Sequence, residues 1–135
     1  MTSWNEIARE VERRAGARCE YCRMHQSLQG ATFHIEHIFP ICLGGTSDLD
    51  NLTLACPSCN LHKSNRVSQT DSTGQEIFLF HPRKYLWDQH FRWDGFQIVP
   101  LSPIGQVTIN LLNLNHERKI RIRQAESMFD IFPPE

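Results

Sequence analysis

The first hydrophobic pattern along the chain is helical. Trp4, Ile7, Ala8 and Val11 recur at three- and four-residue spacing, and Ser3 with Glu6 has the form of a capping box at their start. Gly16 is a natural stop, so a short helix is predicted to end there. The period then changes. From Thr32 to Ile38 apolar and polar residues alternate (T-F-H-I-E-H-I), as in a half-buried strand. Phe33, Ile35 and Leu28 are expected to look into the core, while His34 and Glu36 share the opposite face. Pro40 breaks this regularity, and Gly44, Gly45, Thr46, Ser47, Asp48 and Asp50 mark a loop. Leu52 to Ala55 forms a second short strand. Pro57 then suits the first turn of a helix carrying Asn60, His62 and Lys63.

Further on the pattern loosens. Val67 to Gly74 is polar and reads as a surface link, after which Phe78 to Phe80 and Trp87 to Val99 hold most of the aromatics. His90 to Trp93 and Phe96 to Val99, joined by Asp94-Gly95, read as a hairpin, since Asp-Gly favours a two-residue turn. Trp87, Phe91, Trp93 and Phe96 are expected to pack against helices rather than stack on unpaired bases. Val107 to Leu114 and Ile120 to Phe129 read as two closing helices. The fold class is therefore α+β, as one domain with a core at about residues 17–66 and an extension at about 76–132.

Composition narrows the class without deciding it. With 135 residues, 40% hydrophobic and 21% charged, the chain has the make-up of an ordinary globular protein. No run approaches a membrane span and no signal-peptide start is evident, so a cytoplasmic location is expected. A formal net charge of -1 gives no global attraction to nucleic acid, so such a partner would have to meet local basic patches. Arg118, Lys119, Arg121 and Arg123 are the best such patch, though they do not all share one helical face. Arg9, Arg13, Arg14 and Arg18 are interleaved with glutamates and read as a solvated mixed face.

Five cysteines argue against a fully paired disulfide framework. Four of them form two C-x-x-C turns, Cys19-Glu-Tyr-Cys22 and Cys56-Pro-Ser-Cys59, enough for one tetrahedral Zn²⁺. So small a unit buries too little apolar surface to hold a hairpin against a helix without such a staple. Cys42 has no partner at ligand spacing and reads as a small core residue. Between the pairs lies His34-Ile-Glu-His37. Lys63, three residues after Asn60, would face the same groove and could meet a phosphate.

The whole string, C-x-x-C, H-x-E-H-I-x-P, then G-G-T-S-D-L-x-N-L-x-L-x-C-x-x-C-N-x-x-K, resembles the zinc-stapled branch of the HNH endonuclease family. The resemblance runs from Cys19 to Lys63 and implies a ββα-metal core with a second, open metal site. It puts the divalent metal, Mg²⁺ or Mn²⁺, on Glu36 and Asn60, and matches His37 to the general base. Asn51 matches the asparagine that holds the loop so that His37 points correctly. His34 is a further candidate ligand, or a hydrogen-bonding neighbour, or a substrate contact. Glu36 stands where Asp is more usual and Asn60 where many members carry His; both are hard donors suited to Mg²⁺ or Mn²⁺. The implied activity is hydrolysis of phosphodiester bonds in DNA, leaving 5′-phosphate and 3′-hydroxyl ends. Arg118 and Arg121 would add backbone contacts, and a protein partner could supply sequence choice. The alternative is a non-catalytic zinc module that binds nucleic acid or protein.

Overall fold

The computed structural model describes residues 3–134. Helix α1 (Trp4–Ala15) opens on the expected capping box, with Ser3 Oγ accepting from the Glu6 amide and the Glu6 carboxylate from the Ser3 amide. Gly16 closes it at φ 62°, a left-handed conformation that glycine adopts without steric cost. A tight turn follows. The Cys19 amide donates to the Met24 carbonyl and the Arg23 amide to the Cys19 carbonyl, both at 2.9 Å, and the Glu20 amide reaches the Leu54 carbonyl at the same distance. Cys19 and Cys22 are thereby fastened to the second strand.

Strands β1 (His34–His37) and β2 (Leu52–Ala55) pair antiparallel, His34 opposite Ala55 and His37 opposite Leu52. Helix α2 (Pro57–Lys63) follows at once, with Pro57 in its first turn, and completes a ββα unit. β2 is buried along its whole length, with α1 and α2 both packed against it. On β1 the expected alternation fails at one place. His34 is open to solvent, but Glu36, on the same face, is only 7% exposed. Lys63 of α2 lies against Glu36 there, so the face expected to be wet is covered by the helix.

The polar stretch after α2 is not a plain link. Strands β3 (Ser68–Thr70) and β4 (Glu76–Phe78) form a hairpin. Its turn is tied by Asp71, whose carboxylate accepts from the amides of Thr73 and Gln75 at 2.9 and 3.0 Å. Strands of three residues, one of them the wholly polar Ser68–Thr70, are too short to show an alternation. A short helix α3 (Trp87–His90) precedes the second hairpin, β5 (Phe91–Asp94) with β6 (Gln97–Pro100). Its turn is one residue later than predicted. Asp94 pairs with Gln97, and Gly95 takes the first central position at φ 60°. Helices α4 (Pro103–Leu112) and α5 (Glu117–Met128) close the chain.

One apolar cluster joins the halves, running from Val11, Leu52 and Leu54 to Phe80, Phe91 and Leu112. The aromatics pack as expected. Trp87 and Phe91 are buried, and the Trp87 indole donates to the Tyr21 carbonyl at 3.1 Å, inside the first cysteine turn. Two expectations fail nearby. Cys42 is exposed on a 3-10 turn (Ile41–Leu43), because that segment of the loop stands clear of the core. Arg14 and Arg18 are not simply solvated: they donate to the carbonyls of Leu52 and Ile131 respectively. Among the described residues, no helix is long and apolar enough to cross a membrane.

The β1–β2 loop depends on a close approach at Gly45, where a Cβ would lie 1.8 Å from the Phe39 carbonyl oxygen. The obstacle is backbone and cannot swing aside. Gly45→Ala should therefore cost roughly 1–3 kcal/mol, read as a lower Tm in thermal denaturation. An unchanged Tm would mean the loop is not held this tightly.

Candidate functional site

Cys19, Cys22, Cys56 and Cys59 are buried with all four sulfurs within 4.8 Å of one another. Cys22 and Cys56 stand 3.7 Å apart, too far for a disulfide. Four ligands at about 2.3 Å from a tetrahedral zinc lie about 3.8 Å from each other, so the cluster has the spacing zinc requires. Hydrogen bonds to Cys19 and Cys22 push the Cys56 and Cys59 thiols up. Cys19 and Cys22 are shifted the other way, so the four thiols share their protons unevenly, and a cation that gathers four thiolates removes their mutual repulsion. The donors fit Zn²⁺, and these four residues would hold it as a closed structural ion. Cys56 is also the N-cap of α2, its sulfur accepting from the Cys59 amide at 3.3 Å. The metal cluster and the start of α2 are thus one object, and Asn60 follows directly.

A cleft of about 460 Å³ opens beside this cluster, and Glu36, His37 and Asn60 all line it. β1 brings the first two and the first turns of α2 bring the third. Burial pushes the Glu36 carboxyl up to about 7, although the neighbouring Lys63 ammonium pulls it down. Lys63 Nζ lies 3.0 Å from Glu36 Oε1, yet neither carboxylate oxygen has an aligned hydrogen bond. Thr53, opposite Glu36 across the ladder, has a buried hydroxyl without a partner, as does Tyr21. The Tyr21 phenol is pushed up by burial and by the Glu36 charge. Among the described residues the Asn60 amide makes no side-chain hydrogen bond. A buried carboxylate with unsatisfied oxygens beside a free amide fits a hard divalent cation.

His37 is fixed from three sides. Its backbone sits in the ladder against Leu52, its Nε2 lies 2.9 Å from Ser47 Oγ, and Trp4 stacks over its ring at 6.5 Å and 14°. The loop carrying Ser47 is in turn held by Asn51. Asn51 Oδ1 accepts from the Phe39 amide at 2.9 Å, and Nδ2 donates to the Phe39 and Thr46 carbonyls at 2.9 and 2.7 Å. These are the side-chain-to-backbone bonds expected of this asparagine. Ser47, Trp4, Tyr21 and Thr53 were not singled out from sequence. The helical spacing of Trp4 gives no hint that it stands half-exposed over the end of β1.

Other candidates fall elsewhere. Lys63, expected to face the groove, is 1% exposed, bonded to the His37 carbonyl at 3.4 Å and paired with Glu36. A seven-residue helix packed on β1 turns this side chain inward. His34 is exposed, does not line the cleft, and belongs to no group of three ligands among the described residues. Arg118 and Arg121 are exposed, Arg121 paired with Glu117, and neither lines the cleft. Lys119 and Arg123, read as part of the same surface cluster, are buried. They lie at i and i+4, on the inward face of α5.

Residues 19–66 match the family model described as HNH endonuclease. No curated protein and no solved structure matches the chain. The match supports a nuclease-family function and, with the four-cysteine cluster, zinc binding.

Two outcomes are expected. Purified protein should carry one zinc per chain, and stripping it with a strong chelator should abolish the cooperative thermal transition, since structural zinc contributes about 10–16 kcal/mol of folding energy. The second concerns Glu36, whose carboxyl is pushed by burial from the ordinary 4.5 up to about 7 in the folded protein. An acid raised on folding favours the folded state below its unfolded pKa and loses that benefit as pH rises through the folded one. In zinc-loaded protein without other divalent ions, wild type should lose about 3 kcal/mol relative to Glu36→Gln between pH 4.5 and 7. Parallel pH profiles from denaturant titrations would contradict this.

Proposed function

We propose that the segment matching the HNH endonuclease family is the working centre of a metal-dependent nuclease that hydrolyses phosphodiester bonds in DNA. The observation that carries this reading is the cleft where Glu36, His37 and Asn60 meet, with the Glu36 oxygens lacking aligned partners. Glu36 and Asn60 would hold Mg²⁺ or Mn²⁺ there. Such a cation, when bound, stabilises charge on the scissile phosphate and on the departing oxygen. The chain's own residues do the rest. His37 takes a proton from the attacking water through its cleft-facing ring. Ser47 and Trp4 hold that ring in place, and Asn51 keeps the loop from drifting by anchoring Phe39 and Thr46. Lys63 balances the Glu36 charge until the cation arrives, and so is a counter-ion rather than a phosphate ligand. Arg118 is open to the nucleic-acid backbone at a distance from the cleft, and Arg121 would have to exchange Glu117 for a phosphate to join it.

Supercoiled plasmid incubated with the protein and Mg²⁺ or Mn²⁺ should be nicked or cut, and chelation should stop the reaction. General-base help is worth about 10²–10⁴ in rate, so His37→Ala should cleave slower by that factor while still binding DNA. Retained DNA binding with no turnover under any divalent ion would instead identify a non-catalytic zinc module. Equal cleavage by His37→Ala would remove His37 as the base.

A further inference from the structure

Helix α5 buries three charged side chains, Lys119, Arg123 and Glu126, with exposures of 2%, 0% and 0%. Their spacing, i, i+4 and i+7, places all three on one face. A charge taken this far from water needs an opposite charge, not merely hydrogen bonds. Glu126 has one in Arg18 at 3.2 Å, and also accepts from the His25 amide at 2.9 Å. Lys119 and Arg123 have no carboxylate within ion-pair distance among the described residues. Lys119 Nζ donates to the carbonyls of Leu112 and Asn113 at 2.9 and 3.0 Å, and lies 3.6 Å from Cys59 Sγ. Arg123 donates to the carbonyls of Phe96, Leu114 and Cys22, the last within the first cysteine turn, and lies over the Trp93 ring. Carbonyl oxygens solvate these cations without neutralising them.

The sulfur cluster supplies the missing negative charge. One Zn²⁺ with four thiolates carries a net charge of about −2. Lys119 and Arg123 together contribute the two positive charges that cancel it, in an interior where Cys19, Cys22 and Cys59 are all 0% exposed. We propose that Lys119 and Arg123 are the counter-ions of the zinc tetrathiolate, with Lys119 donating an N–H···S bond to Cys59. Helix α5 is then part of the metal site. Both residues lie outside the segment 19–66, so retention of zinc depends on the C-terminal extension and not on the ββα unit alone. This rests on the zinc reading of the four cysteines and is independent of nuclease activity.

The test uses the full chain, first with zinc and then with Co²⁺ in its place. Lys119→Met should hand zinc to a chromogenic chelator about 10–100 times faster than wild type, the usual effect of removing a residue that supports metal ligands. Its sulfur-to-cobalt charge-transfer band should move to lower energy, because a thiolate relieved of an N–H donor is a better electron donor. Leu112→Ala, which loosens the same packing without touching charge, should leave the band in place. Lys119→Arg should restore slow release. A Lys119→Met protein whose band and release rate match those of Leu112→Ala overturns the proposal. If Lys119→Met does not fold, Lys119→Gln takes its place in both measurements. If neither neutral variant folds with saturating zinc, Lys119→Arg decides: folding supports the charge requirement, and failure to fold overturns it. Wild-type protein that binds neither zinc nor cobalt overturns the zinc reading together with the counter-ion role.

Discussion

Four sulfur atoms within 4.8 Å of one another are the constraint on which the rest of the molecule depends. They tie together two pieces of chain that otherwise meet through one backbone bond, Glu20 to Leu54, and the packing of α1 on β2. One is a tight turn after α1 and the other is the joint between β2 and a helix of seven residues. A helix that short does not form by itself, because the cost of its first turn is repaid by too few bonds. Here the N-cap of α2 is itself a thiol of the cluster, so the ion that gathers the sulfurs also sets the helix origin. The position of Asn60 follows within one residue.

The interior built around this cluster is unusual in how much charge it contains. Glu36 with Lys63, Arg18 with Glu126, and Lys119 with Arg123 beside the cysteines all lie in or near the core. A chain this size has limited apolar surface to bury, and its remaining interior is organised by matching charges. Arg18 and Glu126 satisfy each other and their neighbours. Glu36 does not, since its carboxyl is raised to about 7 despite an ammonium at 3.0 Å. A well-packed structural ion pair would have its oxygens fully bonded. Arg14, Arg83 and Arg123 each bury one nitrogen without a partner as well, but among the described residues Glu36 is the buried carboxylate with both oxygens in that state, and it lines the cleft.

How much of this could be read from the sequence depended on the kind of signal. The capping box at Ser3, the proline at the start of α2 and the paired cysteines are local chemistry, and each lies where it was expected. The loop role of Asn51 was legible only through resemblance, and its three backbone bonds are present. Burial was the harder matter. Alternation places Glu36 and His34 on one face of β1 but cannot tell that α2 covers one and leaves the other open. Lys63 was misjudged for the same reason. On α5 the periodicity of the buried face was present at 119, 123 and 126, yet its members are charged, so the pattern read as surface. Hydrophobic periodicity finds buried faces only when burial is apolar, and here a metal-centred charge took that place.

The two ingredients of the open site are consequently held by different devices. Asn60 follows Cys59 and takes its position from the sulfur cluster, while Glu36 is placed by its pairing with Thr53 in the ladder and by Lys63 of the helix that the cluster starts. His37 owes its orientation to something else: the loop clamped by Asn51, the hydroxyl of Ser47 and the indole of Trp4. Gly45 belongs to this second device, since its close approach to Phe39 lets the clamp shut. Damage to the loop should thus misplace the imidazole while leaving the carboxylate and amide where they are. Loss of the sulfur-bound ion should release the ligands, and with them the strand that carries the imidazole. The loop therefore depends on the cysteines as well as on its own clamp, because the ladder between β1 and β2 is the platform on which it closes.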